Sequence, residues 1–199
     1  MQVFADKGFK DATVREICRQ AEVNLAAVNY HFGDKERLYV ETIKQAHSQR
    51  AEQVPMPAWT AVTPPDERLH DFITTLLERM LNDPAEAWHH QLMLRELANP
   101  TAACQEWVRD YIRPHFQLLL SIIDELLPAG VSQAERQLIA FSIVGQCVYH
   151  RVAQPVVRML LTADEFARLD VGKLADHIGR FSLAAVGRGA PLGHEETAR

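Results

Sequence analysis

No proline occurs in the first 54 residues, and four then fall within the twelve of VPMPAWTAVTPP at 54–65. Proline fixes φ and removes a backbone donor, so a helix runs easily through the first stretch and not through the second. The pattern cuts the chain into two helical regions joined by an irregular connection over 51–65. After the connection, helix-period apolar spacing predicts helices over 66–82, 85–98, 101–127 (kinked or split near Pro114), 133–153, 155–161, 163–169 and 171–187. No alternating pattern with hairpin turns occurs, and the expected fold class is all-α. The domains that follow are 1–50, a helix-turn-helix unit, and 66–187, a helical bundle, with a disordered tail over 188–199.

Composition adds limits. A chain of 199 residues, 47% hydrophobic and 24% charged, suits one or two compact domains. Its best candidate for an apolar span, LLLSII at 118–123, meets Asp124 and Glu125, well short of a membrane span. The N-terminus lacks a signal-peptide pattern, which gives a cytoplasmic address by default. Cys18, Cys104 and Cys147 are far apart and odd in number, so they suggest reduced buried thiols and no zinc module. Net charge is −5, but residues 1–50 hold eight basic side chains against seven acidic, while the rest hold thirteen against nineteen. A slightly basic head on an acidic body fits a small nucleic-acid contact surface.

The head is patterned at closer range. Thr13 and Glu16 form a capping box, followed by Val14, Ile17, Cys18 and Ala21 on one helical face. Asn24 is placed to cap a second short helix, in which Val28 and Phe32 point inward one turn apart and Val23 also faces the core. Asp34 caps a third, carrying Leu38 and Ile43. Two short helices with a tight turn, braced by a third, make a helix-turn-helix candidate.

Opposite Val28 lie Ala26 and Tyr30, with Ala27 and Asn29 on the shoulders. A merely solvated helix normally carries Lys, Glu or Gln there. Small side chains admit a groove, Asn pairs with adenine, and Tyr or His donates to phosphate, with Arg15 and Lys35 flanking. The same alanines and tyrosine would also suit packing against another protein helix.

The stretch FADKGFKDATVREICRQAEVNLAAVNYHFGDKERLY resembles the DNA-binding domain of the TetR family of bacterial regulators. The resemblance implies that Thr13 and Arg15 touch phosphate, that Asn24, Leu25, Ala26 and Asn29 lie along the recognition helix, and that Tyr30, His31 and Lys35 grip the backbone. Leu25, Ala26 and Asn29 would read bases in double-stranded operator DNA. RELANPTAA (95–103), YIRPHF (111–116), VGQCVYHR (144–151) and DHIGRFSLAAV (176–186) resemble the C-terminal domain of the CecR/CerR-like subgroup.

Two departures carry expectations. Glu22 stands where the family's turn usually has Gly, a position that can need φ > 0 at a cost of order 1 kcal/mol. The chain also begins three residues before Phe4, so a truncated first helix and a head less stable than an extended form are expected.

The family's architecture implies a homodimer, with the helices at 133–153 and 171–187 pairing with their copies. It also implies a repressor released from its operator by a small-molecule effector. Trp88, His89, Met93, Tyr111, His115, Phe116, Gln146, Tyr149 and His150 mix aromatic and polar groups in the manner of a ligand cavity. Two rivals remain: a TetR-like protein that no longer binds DNA, and a di-metal bundle enzyme using Glu67-x-x-His70 and Glu86-x-x-His89. If the turn at 82–84 makes those two helices antiparallel, the histidines are offset by about 12 Å along the axis, at 1.5 Å per residue. That gap is too wide for one metal pair. No nucleophile elbow, phosphate loop or dinucleotide fingerprint occurs, and neither an enzyme, a metal nor a cofactor is expected.

Overall fold

A computed structural model describes residues 2–82 and 87–189, and these form helices and connections without a strand. Two compact units emerge, one of residues 1–53 and 83–114 (the head unit) and one of 54–82 and 115–199 (the body unit). Glu86 and the expected tail beyond 189 lie outside the described residues, as do Asp83 and Pro84 of the expected turn.

The head unit starts with α1 (Gln2–Asp11), interrupted at Gly8, whose φ of 76° ends one helical stretch and lets Phe9 turn back toward the core. Next come α2 (Val14–Gln20), α3 (Leu25–Phe32) and α4 (Lys35–Gln53). α4 thus continues into residues expected to be connection, because 51–53 contain no breaker and the first proline is Pro55. Each boundary is chemical. Thr13 and Glu16 exchange backbone donors in a capping box, Asn24 Oδ1 accepts from the Ala27 N–H at 2.6 Å, and Asp34 Oδ1 from the Arg37 N–H at 2.8 Å. Phe4 and Tyr39, nearly fully buried, meet edge to face with ring centroids 4.8 Å apart.

Compactness divides the chain differently from the 1–50 and 66–187 division expected above. α6 (Ala87–Ala98) and α7 (Ala102–Trp107) belong with the head, where Leu92, Ala103 and Trp107 join its core. Polar clasps hold them there. Arg95 donates from Nε to the Ala5 carbonyl at 2.8 Å and from Nη2 to that of Asp6 at 2.7 Å, satisfying carbonyls freed by the break at Gly8. The next residue, Glu96, is 1% exposed and accepts from the Tyr39 hydroxyl at 2.7 Å and from the Thr101 N–H and hydroxyl at 3.0 Å each. Nearer solvent, the Lys44 ammonium pairs with Glu106 at 2.5 Å and Asp110 at 3.4 Å.

The expected split near Pro114 takes the form of a π-turn, Val108–Ile112, with the Arg113 N–H donating to the Val108 carbonyl. Pro114 has no N–H to give the carbonyl four residues back, and a widened turn absorbs that loss.

The body unit contains α5 (Pro65–Leu81), α8 (Arg113–Leu126, whose first two residues fall to the head), α9 (Gln133–Val152), α10 (Gln154–Leu160), α11 (Ala163–Ala167) and α12 (Val171–Ala185). Its core is apolar: Leu69, Ile73 and Leu77 of α5, Leu119, Ile122 and Ile123 of α8, Ile143 of α9 and Ile178 of α12. Thr162 and Asp170 cap α11 and α12 as their spacing predicts. The proline-rich connection is fastened: Trp59 Nε1 donates to Asp71 Oδ2 at 2.9 Å, and Arg79 Nε to the Val54 carbonyl at 2.9 Å. Cys18 and Cys147 are buried and Cys104 partly so; burial pushes the Cys147 thiol up to about 12. Among the described residues, no helix is long and apolar enough to cross a membrane.

Candidate nucleic-acid interface

α3 presents two unlike sides. Val28 is 7% exposed and Phe32 packs partly buried against the head core. Leu25, Ala26, Asn29, Tyr30 and His31 face solvent, with Tyr30 at 86% exposure. Helical spacing places 26 and 30 opposite 28 and 32, with 29 on the shoulder, whereas Leu25 shares the side of Val28 and stays 40% exposed as the first residue of the helix. Asn24 is occupied as the cap, so its carboxamide oxygen positions α3. Gly33, at φ 79°, ends the helix with its N–H on the Asn29 carbonyl at 2.9 Å.

Glu22 has φ 55°, the one left-handed non-glycine among the described residues. Its position sets the turn between α2 and α3, and the strain expected from the sequence is therefore present. Val23 differs from expectation: it is 45% exposed, because its N–H folds back onto the Cys18 carbonyl at 3.0 Å and its side chain stays outside the core.

Around α3 the charged groups divide into engaged and available ones. The Lys35 ammonium donates to the Lys10 carbonyl at 3.0 Å and lies 4.8 Å from the Phe9 ring centroid, so it buttresses the end of α1. Lys7 bonds Glu16 at 2.6 Å. That bond and those from the Thr13 hydroxyl and N–H hold the Glu16 carboxyl at about 2, so it stays ionised and keeps the capping box closed. Arg15, Arg19 and Lys10 are exposed and have no ion pair among the described residues. Thr13, a cap, is also exposed at the start of α2. Small residues, one carboxamide and one phenol thus lie exposed on α3, and α2 packed beside it carries the uncommitted Arg15 and Arg19, which suits approach to a groove flanked by phosphate.

Of the nine residues expected to form a ligand cavity, four lie in the head unit and five in the body unit. Trp88, His89, Met93 and Tyr111 belong to the head unit, where Trp88, Met93 and Tyr111 pack against its core. The Tyr111 hydroxyl shares a 2.8 Å hydrogen bond with Ser48, and its ring lies 4.3 Å from that of His47. His115, Phe116, Gln146, Tyr149 and His150 belong to the body. Phe116 stacks on Phe141 at 5.1 Å. Gln146, Tyr149 and His150, with Ser142, Gly145, His177 and Phe181, line an open groove of about 550 Å³ along α9 and α12. Burial and His177 together lower the basicity of His150. This groove was not legible as such, because the α12 residues are distant in sequence.

His70 lies in the body unit, with Nε2 2.8 Å from Asp176 Oδ1, and His89 lies in the head unit, 5% exposed against Trp88. Among the described residues, no cluster of three or more metal-ligating side chains occurs.

Residues 1–42 match the model of the TetR family of bacterial regulatory proteins, and 65–186 match that of the C-terminal domain of the HTH-type transcriptional dual regulator CecR. No match is found among curated proteins. The fold is similar to that of a TetR-family regulatory protein from Rhodococcus RHA1, with a TM-score of 0.65, 19% identity and coverage of 93% of this chain and 91% of that one. A TetR-family transcriptional regulator from Streptomyces coelicolor A3 is also similar, with a TM-score of 0.57, 16% identity and coverage of 95% and 88%. With the second match spanning more than half of its length, the chain belongs to the TetR family of DNA-binding transcriptional regulators, in its CecR-like branch, and is not an enzyme.

Proposed function

We propose that this regulator is a repressor that holds double-stranded operator DNA as a homodimer and releases it when a small molecule binds. The observation that carries the reading is the exposed surface of α3, where Ala26 and Tyr30 lie opposite Val28 with Asn29 on the shoulder and Leu25 exposed at the first turn, while α2 carries the uncommitted Arg15. Leu25, Ala26 and Asn29 read base edges, while Thr13, Arg15, Tyr30 and His31 contact phosphate. Lys35 and Asn24 act indirectly, by fixing the end of α1 and the start of α3. Such a protein works where the chromosome is, in the cytoplasm.

The groove along α9 and α12 supports the dimer. Leu138, Phe141, Tyr149 and Phe181 are 63%, 58%, 52% and 47% exposed, and Gly145 keeps the groove floor open. A two-fold axis lets each copy fill the groove of the other. On this reading Gln146, Tyr149 and His150 belong to the dimer face. Trp88, His89, Met93 and Tyr111, with His115 and Phe116 of α8, remain the effector candidates. α6 would carry the signal, since its own Arg95 and Glu96 grip α1 and α4. A ligand favouring a displaced α6 would weaken operator binding through a coupling of ~1–3 kcal/mol.

Binding of the purified protein to a fragment from upstream of its own coding region tests the DNA reading. Asn29→Ala and Tyr30→Ala should each weaken binding about tenfold or more, and Arg15→Ala should reduce the salt slope by about one. Undiminished binding by both α3 variants would overturn it.

A further inference from the structure

α10 turns outward a surface that nothing described in its own unit covers. Val156 is 53% exposed, Met159 84% and Leu160 71%. Their spacing puts all three on one side of the helix. The other side is held. Val157 borders a small void of about 30 Å³ shared with Phe166, Leu169 and Leu174, and the Arg158 guanidinium lies 4.3 Å from the Phe166 ring centroid. Capping bonds hold the helix at both ends, with the Val157 N–H on the Ala153 carbonyl at 2.8 Å and the Leu161 N–H on that of Val157 at 3.1 Å. An anchored helix is keeping three large apolar groups in water.

The exposed side of α10 is also continuous with that of α9. Along α9, Leu138, Phe141, Gly145, Tyr149 and Val152 follow one another at steps of three or four, and Val152 is itself 51% exposed. The stripe passes the single junction residue Ala153, whose φ of −88° and ψ of 2° stay near the helical region, and continues four residues on at Val156. A stripe with one period across two helices calls for one partner along its length.

We infer that α10 is an arm that packs on a second copy of this chain and extends the α9–α12 interface. The inference rests on the dimer reading given above, because the arm has a partner only if that face pairs. An intramolecular cover from the last ten residues is a poor substitute: their one large apolar side chain is Leu192, among His194, Glu195, Glu196 and Arg199. A two-fold pairing covers both arms at once, whereas a head-to-tail contact would leave one open and build chains.

Sedimentation equilibrium of the full chain tests this with three proteins: the unsubstituted chain, Phe141→Asp in α9, and Met159→Asp with Leu160→Asp in α10. The expected result is a dimer, a monomer, and a dimer weakened at least about tenfold, as loss of buried apolar anchors produces. Because all three sites are exposed, helical circular dichroism should persist in each. A photo-crosslinking side chain at position 160 should join two copies. A double variant that dimerises as tightly as the unsubstituted chain overturns the arm and leaves the α9–α12 reading standing. An unsubstituted chain that is monomeric at tens of micromolar overturns both. A crosslink from position 160 into residues 190–199 of the same chain overturns the arm in favour of the tail.

Discussion

The head and body units are built on opposite plans. The head buries the ionisable side chains of Glu96 and His89 besides Thr42 and presents small and polar groups on α3, whereas among the described residues the body buries no polar side-chain groups but the hydroxyls of Thr75 and Ser182, and large apolar groups remain outside on α9, α10 and α12. A dry core is tolerant of direction, since apolar contacts add in proportion to area whatever their angle. The buried carboxylate of Glu96 is not tolerant: it has two oxygens, and the Tyr39 hydroxyl and both Thr101 donors must be in place to satisfy them. Polar interiors thus suit a unit that must hold α1, α4 and α6 at fixed positions to aim a helix at DNA. Aliphatic interiors suit a unit whose work is to be stable while its surface finds a copy.

The largest effect should come from the body's interior. Leu77 is fully buried among α5, α8, α9 and α12, and Leu77→Ala should cost ~2–5 kcal/mol in urea unfolding. The three tryptophans make the test specific to a unit: Trp59 is in the body, and Trp88 and Trp107 are in the head. A Trp59-only variant should register the loss in full.

The head should answer differently. Glu96→Ala leaves the Tyr39 hydroxyl and Thr101 donors without their acceptor and should cost ~1–3 kcal/mol, read from Trp107 fluorescence. Combining Glu96→Leu with Tyr39→Phe should recover part of the stability without recovering operator affinity, because shape returns and orientation does not. Full recovery of affinity would break the contrast between the two units. The smallest effect is a gain: Glu22→Gly removes a side chain from a left-handed position and should stabilise the head by about 1 kcal/mol, read as a raised midpoint. An unchanged midpoint would mean that Glu22 is held there at no cost.

What was legible in the sequence was what is local. Thr13 with Glu16, Asn24, Asp34, Thr162 and Asp170 announce their helices because a cap and the N–H it accepts from are three residues apart. Glu22 marked its own strain through the residue type the turn prefers. The alternation of buried Val28 with exposed Ala26 and Tyr30 is a matter of helical angle alone. The grouping of α6 and α7 with the head was hidden, since it depends on Tyr39 meeting Glu96 across 57 residues. For the same reason Lys35 could be read as a cation available to phosphate, when Lys10 and Phe9, 25 and 26 residues earlier, already engage it. The nine residues grouped by chemical type as a pocket divide between the two units, because aromatic and polar character marks core, clasp and exposed groove alike.

The cysteines carry one more consequence, for the kind of signal this regulator answers. Thiolate is the form that attacks disulfides and peroxides, and a thiol shifted upward yields little of it at neutral pH. Burial shifts Cys147 to about 12, and burial together with the Glu96 charge shifts Cys104 upward as well. Cys18 is enclosed in the core beneath α2 and α3. Oxidants therefore meet a folded chain in which the buried thiols of Cys18 and Cys147 are chemically quiet, and exposure of these two on unfolding lets thiol labelling time the opening of the head through Cys18 and of the body through Cys147.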